Sequence, residues 1–402
     1  MGLVFAVAAW ALLAVWMLAD RALYELNHRG VRVRGHRLVP RGPEQPPEMH
    51  AERARGLLAR LPAAVIERLA ADAGLPRWLT EPFAAHTLAR KGAARFLRAA
   101  SAHRGGRGRW RRIAALRILC AGGHPDAPAL LRSALLSGDP DLVGAAVSLL
   151  GDQRSPAAAE QLIQALRERL HPPSRVAARL DRFPLLVPDL ILPLVRDPDP
   201  AVRFWGATLL ARYGARPDVA PALVGLVTDD DASVRKAAVE SLGAVGGGEA
   251  DTTALRLLED PVWFVRAHAA RALGDLERAD LAPRVLPLLA DPQWWVRAAV
   301  KDALQAMGPA VAPAVAGVLG HPDRFARNGA AEVLQNLGVL DELAGRAARG
   351  EASAEDQALL ARAGAAGGIA PTPGTARRIL PMAADRVRVL LPGPVGLEGH
   401  GR

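Results

Sequence analysis

The residues best suited to catalysis or metal binding are scattered along this chain. Its ten histidines form no His-Glu-x-x-His or His-x-His pattern, and the single cysteine, Cys120, excludes a Cys-x-x-Cys pair, so neither a metal site nor a catalytic pair has a local signal. Cys120 lies in the apolar run IAALRILCAG, which predicts a small core residue because a catalytic thiol needs an accessible, electropositive setting. We therefore expect no enzyme activity, no cofactor, no metal ion and no small-molecule substrate.

Two short runs contain residue types that could bind a cation or a phosphate, but both fit turns better. The aspartates at 229–231 lie at an inter-helix turn, where an aspartate caps a helix, and a cation site is the weaker interpretation. The glycines at 246–248 follow a helical segment and lack the Lys-Ser/Thr pair of a phosphate-binding loop, so they predict a turn.

An arginine recurs in the second half of the chain, and four of its five copies follow an aspartate at a fixed distance. The arginine occurs in five segments, at intervals of 32, 31, 31 and 30 residues: Arg203, Arg235, Arg266, Arg297 and Arg327. Six positions earlier stand, in the same order, Asp197, Asp229, Asp260, Asp291 and His321. A period this regular indicates a stacked array of repeats.

Each repeat contains two amphipathic helical segments. Apolar residues recur four apart in the second segment, as in Val265, Ala269 and Leu273, which forms one stripe along a helix and not the alternation of a strand. Asp-Pro pairs between the segments supply a capping oxygen and a residue that cannot extend the first helix. Glycines near the end of the second segment, such as Gly274 and Gly308, fit a helix terminus.

The pattern of Asp-Pro, then Val-Arg, then Ala-rich turns ending in Leu-Gly resembles HEAT repeats, in particular the short bacterial variety first named from phycobilin lyases. Five copies fit between about residues 185 and 340. The resemblance implies an all-α fold, an α-solenoid of HEAT-like helix pairs, and says little about function. In similar solenoids the Asp and Arg side chains form a ladder between successive repeats. On that basis Asp197 pairs with Arg203, Asp260 with Arg266 and Asp291 with Arg297, and the structural ladder comprises Asp197, Arg203, Asp229, Arg235, Asp260, Asp291 and Arg327.

Aromatic residues fall at fixed positions of the repeat. Trp263 and Trp294 occupy the third position, about 200° around a helical wheel from the buried fifth position, which predicts a partner-binding patch with Arg266 and Arg297. The alternative is that both tryptophans pack on neighbouring turns. The fourth position adjoins the buried stripe and predicts packing roles for three further residues: Phe264, Trp295 and Phe325.

The N-terminal segment predicts a membrane anchor. Residues 2–19 are eighteen consecutive uncharged and mostly apolar positions, nearly enough for a transmembrane helix, whereas a cleavable signal peptide would carry a basic residue before the apolar run. Six arginines follow, namely Arg21, Arg29, Arg32, Arg34, Arg37 and Arg41. By the positive-inside rule they predict a single-pass inner-membrane protein with its N-terminus outside and its solenoid in the cytoplasm.

Charge argues against nucleic acid as a partner. Residues 20–112 carry 20 Lys and Arg and 8 Asp and Glu, whereas residues 113–402 carry 31 and 33, so the basic excess lies beside the apolar segment and the repeats are nearly neutral.

The predicted layout has five parts. They are a transmembrane helix with a short extension (1–27), a Pro- and Arg-rich juxtamembrane linker (28–50), a helical N-terminal cap region (51–109), the HEAT-like solenoid (110–366) and a flexible C-terminal tail (367–402). The predicted function is a membrane-anchored, non-enzymatic scaffold that binds a protein partner, with another membrane protein as one candidate. The resemblance leaves an alternative, an enzyme similar to bilin lyases or isomerases or to the HEAT-like proteins that excise damaged bases.

Overall fold

The computed structural model describes residues 47–102, 107–183, 188–214, 216–246 and 249–366. Within these ranges the chain forms α-helices and short 3-10 helices, without a β-strand. The chain divides into two compact units, the first ending at Phe183 and the second following it.

The first unit contains nine described α-helices. They are α1 (Pro47–Arg60), α2 (Ala63–Ala70), α3 (Arg77–Lys91), α4 (Ala93–Ala100), α5 (Arg107–Ala121), α6 (Ala127–Leu135), α7 (Pro140–Gln153), α8 (Pro156–Arg167) and α9 (Pro173–Leu180).

The second unit contains twelve described α-helices, of which the first ten form five successive pairs. They are α10 (Pro188–Ile191), α11 (Pro200–Leu210), α12 (Val219–Val224), α13 (Ala232–Val245), α14 (Ala250–Leu257), α15 (Trp263–Asp275), α16 (Ala282–Val285), α17 (Trp294–Ala306), α18 (Ala312–Val318), α19 (Arg324–Asn336), α20 (Val339–Ala348) and α21 (Ala354–Ala365). The 3-10 helices lie at Leu192–Arg196, Ala211–Tyr213, Ala279–Leu281, Leu286–Ala290 and Pro309–Val311.

The predicted apolar stripe is the core of the second unit. Val265, Ala269 and Leu273 of α15 are completely buried, and the equivalent residues of α17 are buried to the same degree: Val296, Val300 and Leu304. Neighbouring second helices therefore cover one another's apolar faces, which is the main source of stability in a repeat array.

Two glycines allow the second helices to approach closely. A Cβ atom on Gly274 would lie 2.7 Å from the Cα atom of Ala303, and one on Gly243 would lie 2.9 Å from the Cα atom of Ala272. Both glycines stand near the end of a second helix, as predicted, Gly274 in α15 and Gly243 in α13, and there they also allow close packing of the next helix. Gly308, with φ of +82°, does follow the end of its helix in a conformation that favours glycine.

The predicted inner-membrane localisation is corrected by the structure. No helix of the described ranges is long and apolar enough to cross a bilayer. The longest, α3 and α5, have 15 residues each, about 22 Å at about 1.5 Å per residue, against a hydrocarbon core of about 30 Å. The apolar segment 2–19, the six arginines after it and the predicted tail 367–402 lie outside the described residues.

Candidate protein-interaction surface

The recurrent arginines close the turn of their own repeat. The Nη1 atom of Arg235 donates to the backbone oxygens of Asp229 at 2.8 Å and Asp230 at 3.2 Å. The equivalent two bonds are made by the other four arginines of the series: Arg203, Arg266, Arg297 and Arg327. The guanidinium group therefore fixes the same turn geometry between the two helices of each pair.

The other edge of three of these guanidinium groups binds the aspartate of the next repeat. The Nε and Nη2 atoms of Arg235 contact the two carboxylate oxygens of Asp260 at 2.8 and 3.0 Å. Arg203 binds Asp229 at 2.7 and 2.8 Å in the same way, and Arg266 binds Asp291 at 2.9 and 3.0 Å. The predicted pairing of side chains within one repeat is thus corrected. Within a repeat, the arginine contacts the backbone oxygen of the aspartate. The carboxylate that binds the arginine belongs to an aspartate 25 or 26 residues further along the chain.

Each ladder aspartate also orders the turn in which it stands. Oδ1 of Asp260 accepts the backbone N–H of Val262 at 2.8 Å, an aspartate turn motif, and Asp229 accepts that of Asp231 at 3.0 Å. Partial burial acts to raise the pKa of Asp229, but the hydrogen bond from Arg203, the N–H of Asp231 and the nearby guanidinium charges outweigh it, so this pKa lies below its ordinary value.

The aspartate run at 229–231 is thereby explained without a cation. Asp229 belongs to the ladder, and the carboxylate of Asp231 caps α13 by accepting the N–H groups of Ser233 at 2.7 Å and Val234 at 3.2 Å. No group of residues suited to hold a metal ion occurs in the described ranges.

The carboxylate ladder stops at Arg297. His321 stands where the next aspartate would be, and its Nδ1 atom accepts the N–H of Asp323 at 3.0 Å, which preserves the turn. Within the described residues Arg297 has hydrogen bonds only through Nη1, to the backbone oxygens of Asp291 and Pro292, and its guanidinium carbon lies 4.4 Å from the ring centre of Phe325.

Exposed aromatic side chains lie at the start of three successive second helices. We call Trp263, Trp294, Trp295 and Phe325 the aromatic row; their exposed fractions are 38, 53, 48 and 43 %. The rings of Trp294 and Trp295 stack with centres 3.6 Å apart, and Trp263 meets Phe264 edge-on at 5.7 Å. Trp263 and Trp294 are therefore exposed, as the partner-binding interpretation requires.

Trp295 and Phe325 are not in the core, although Phe325 does contact Arg297 of the preceding repeat. Trp294 and Trp295 are the first two residues of α17, and Phe325 is the second residue of α19. A side chain in a helix leans towards the preceding turn, and at the first residues no such turn exists. The helical wheel gives the correct direction for both side chains, but their position at the start of a helix leaves both rings exposed to solvent.

The two arginines predicted to accompany the tryptophans have different environments. Arg266 is committed to Asp291 through Nε and Nη2, so it is a ladder residue. Arg297 faces Phe325, and Arg324, whose guanidinium carbon lies 4.7 Å from the same ring centre, joins it. Sequence reasoning missed Arg324, although its place one residue before an aromatic residue was a usable signal.

A chain of polar contacts runs across the exposed sides of the second helices. Glu240 accepts from His268 Nδ1 at 2.7 Å and lies 3.3 Å from Lys236 Nζ; Lys301 binds Glu332 at 2.5 Å. Burial of Glu240 acts to raise its pKa, but the bond and charge of His268 and the charge of Lys236 hold this pKa below its ordinary value. The His268–Glu240 and Lys301–Glu332 contacts join neighbouring repeats.

The first unit contains a cavity of about 150 Å³, lined by Arg77, Glu81 and Cys120 among other residues. Arg77 on its wall donates to Glu81 at 2.7 Å and to the backbone oxygen of Asp152 at 3.0 Å. Cys120, also on the wall, accepts a long contact from Gln153, and burial raises the pKa of its thiol to about 12. A thiol of this kind stays protonated and unreactive at neutral pH.

The architecture of paired helices with a repeated Arg–Asp joint defines a HEAT-type solenoid. Residues 187–265 and 252–335 match the family of HEAT repeats, so the chain contains HEAT repeats in an all-α solenoid. No curated protein matches the chain.

Several solved structures are similar to this chain at low sequence identity. An engineered protein is 18 % identical, over 79 % of this chain and 98 % of that chain, with a TM-score of 0.36. The complex of CpcE and CpcF of phycocyanin lyase from Nostoc sp. PCC7120 is 22 % identical, over 60 % and 94 %, with a TM-score of 0.34. The karyopherin Kap121p bound to Pho4p is 14 % identical, over 78 % of this chain and 41 % of that chain, with a TM-score of 0.48.

Proposed function

We propose that this chain is a non-enzymatic scaffold that binds a protein partner through the aromatic row. The observation that carries the proposal is the exposure of these four rings. Among the described residues, the other exposed large apolar side chains are Met49 and Leu136, both in the first unit. Exposed aromatic clusters are costly in water and are typical of interaction sites.

The placement of the aromatic row suits binding. The ladder fixes the turn that precedes each second helix, so the rings project from rigid positions and lose little conformational freedom when a partner covers them. Tryptophan and arginine are the residue types that contribute most to protein interfaces, and the row has both, with Arg297 and Arg324 beside Phe325.

A binding role accounts for the polar residues better than catalysis does. The arginines and aspartates with regular spacing hold the repeats together, and the thiol of Cys120 is held protonated. No observation within the described ranges favours the bilin-lyase or base-excision alternatives over a binding role.

The proposal is tested by affinity purification of the tagged full-length chain from its native cells. Trp294→Ala combined with Trp295→Ala removes about half of the aromatic row, and we expect a specific partner to be lost from the eluate while the circular dichroism spectrum is unchanged. Leu136→Ala, at a side chain 62 % exposed in the first unit, is the matched control and should retain the partner. Retention of the same partners by the double variant would contradict the proposal.

A further inference from the structure

The regular joint of the array shows what Arg297 is built to bind. At the three preceding joints, the Nε–Nη2 edge of the arginine receives both oxygens of a carboxylate, while Nη1 holds two backbone oxygens. Such two-point binding is the strongest and most directional contact that a guanidinium group makes. The Nη1 contacts are unchanged at Arg297, so its guanidinium group is anchored like the others.

The carboxylate is missing at this joint because the sequence has His321 in its place. The imidazole Nδ1 takes over the turn hydrogen bond, to the N–H of Asp323, but brings no negative charge. Within the described residues the Nε–Nη2 edge of Arg297 has no hydrogen-bond acceptor. The carboxylate of Asp323 feels the charge of Arg297, but it already accepts the N–H of Ala326 at 2.9 Å as the cap of α19.

The surroundings of this open edge are aromatic and basic. The ring of Phe325 lies under the guanidinium groups of both Arg297 and Arg324, and the exposed stacked pair Trp294 and Trp295 begins the same helix as Arg297. Two guanidinium groups on a half-exposed ring attract negative charge, and the rings attract apolar side chains.

We propose that the partner presents an acidic segment, with a carboxylate bound by the Nε–Nη2 edge of Arg297 and an adjacent apolar side chain on Trp294, Trp295 and Phe325. This inference rests on the proposed function and assigns the chemistry of the partner. The incoming carboxylate takes the role that an aspartate of the next repeat has at the other joints.

The test uses the full-length chain and labelled short peptides that alternate Asp or Glu with Leu or Phe. Their counterparts carry Asn and Gln in place of the acids. Fluorescence polarisation should show the acidic peptides binding about tenfold or more tightly than the amide peptides, the difference expected for one charge-assisted pair. Equal affinities for the two sets would overturn the inference.

Substitutions at the joint make the test specific. Arg297→Gln should weaken acidic-peptide binding about tenfold, whereas Arg284→Gln, at an exposed arginine of α16, should have no effect. His321→Asp should weaken peptide binding as much as Arg297→Gln without lowering the melting temperature. The new carboxylate would itself bind the Nε and Nη2 atoms of Arg297 and so compete with the peptide. His321→Asn, which can keep the turn bond without the charge, should retain binding. Unchanged affinity in His321→Asp would overturn the inference.

The same variants separate this inference from the proposed function. If the tryptophan variants lose the cellular partner while Arg297→Gln and His321→Asp keep it, the scaffold role stands and the acidic segment is wrong. If all of these variants keep the partner, both are wrong.

Discussion

At the level of single residues, the ladder arginines link two repeats through one rigid group. Arg235 binds backbone oxygens of its own turn and the carboxylate of Asp260, and the exposed fractions of the two side chains are only 13 and 3 %. Removing one member of such a buried pair leaves the other charge uncompensated, which costs more than the pair contributes when intact.

We therefore expect Arg235→Ala to lower the free energy of unfolding by about 3 kcal/mol. Arg297→Ala should lower the free energy of unfolding by only about 1 kcal/mol, because it removes hydrogen bonds to two backbone oxygens but leaves no buried carboxylate without its partner. Urea denaturation followed by circular dichroism measures both. Equal losses would show that the ion pair adds nothing to the joint.

Asp229 gives the ladder a dependence on pH. Its folded pKa is below the ordinary value of 3.8, so its contribution to stability is fully present above that value and is lost as the pH falls through the lower folded pKa. Asp229→Asn should cost about 1 to 3 kcal/mol at pH 7, and the difference from the unaltered chain should shrink below about pH 4. Denaturation at pH 7, 4 and 3 tests this; a constant difference would contradict it.

The recurring spacing of Asp and Arg was enough to predict that these residues are structural. It could not give the partner of each arginine, because six residues along the chain and one repeat further on are equally compatible with the same spacing. His321 was visible in the sequence as a departure from aspartate, but its consequence for Arg297 depends on that pairing between repeats.

At the level of helices, two glycines that look alike in sequence have different roles. Gly274 lies within α15 against the backbone of Ala303, whereas Gly308 ends its helix with a positive φ. Sequence spacing correctly predicted that both lie near a helix end, but it carries no information on how close the next helix comes. The helical wheel wrongly predicted burial of Trp295 and Phe325 for a related reason, because it treats the first turn of a helix like any other turn.

Gly274→Ala should destabilise the chain by about 1 to 3 kcal/mol, because the added methyl group must push α17 away from α15. Gly317→Ala is the matched control, a glycine within α18 with open space around its Cα atom, and alanine there should be neutral or stabilise by up to about 1 kcal/mol. Thermal unfolding of the two variants distinguishes them. A neutral Gly274→Ala would contradict the close approach.

At the level of the whole molecule, the stability of a repeat array is a sum of neighbouring contacts. Helix α15 lies between two intact ladder joints, Arg235 with Asp260 and Arg266 with Asp291, and both its glycine contact and that of α13 are tight. Helix α19 follows the joint at Arg297, which has no carboxylate. The stacked all-α architecture was predictable from periodicity alone, whereas this local difference along the array was not.

Amide hydrogen exchange should therefore be slower in α15 than in α19, since local opening needs less free energy where fewer contacts break. Mass spectrometry of peptides covering Trp263–Asp275 and Arg324–Asn336 measures the two rates. His321→Asp should slow exchange in α19 and leave α15 unchanged. Faster exchange in α15 than in α19 would contradict this view of the array.

The central claim is that the aromatic row is a protein-binding surface, and site-specific photo-crosslinking in native cells tests it most directly. A photoreactive amino acid at position 295 should give one discrete protein adduct, and the same group at position 284, on the exposed side of a first helix, should give none. The same adducts from both positions, or none from position 295, would contradict the claim.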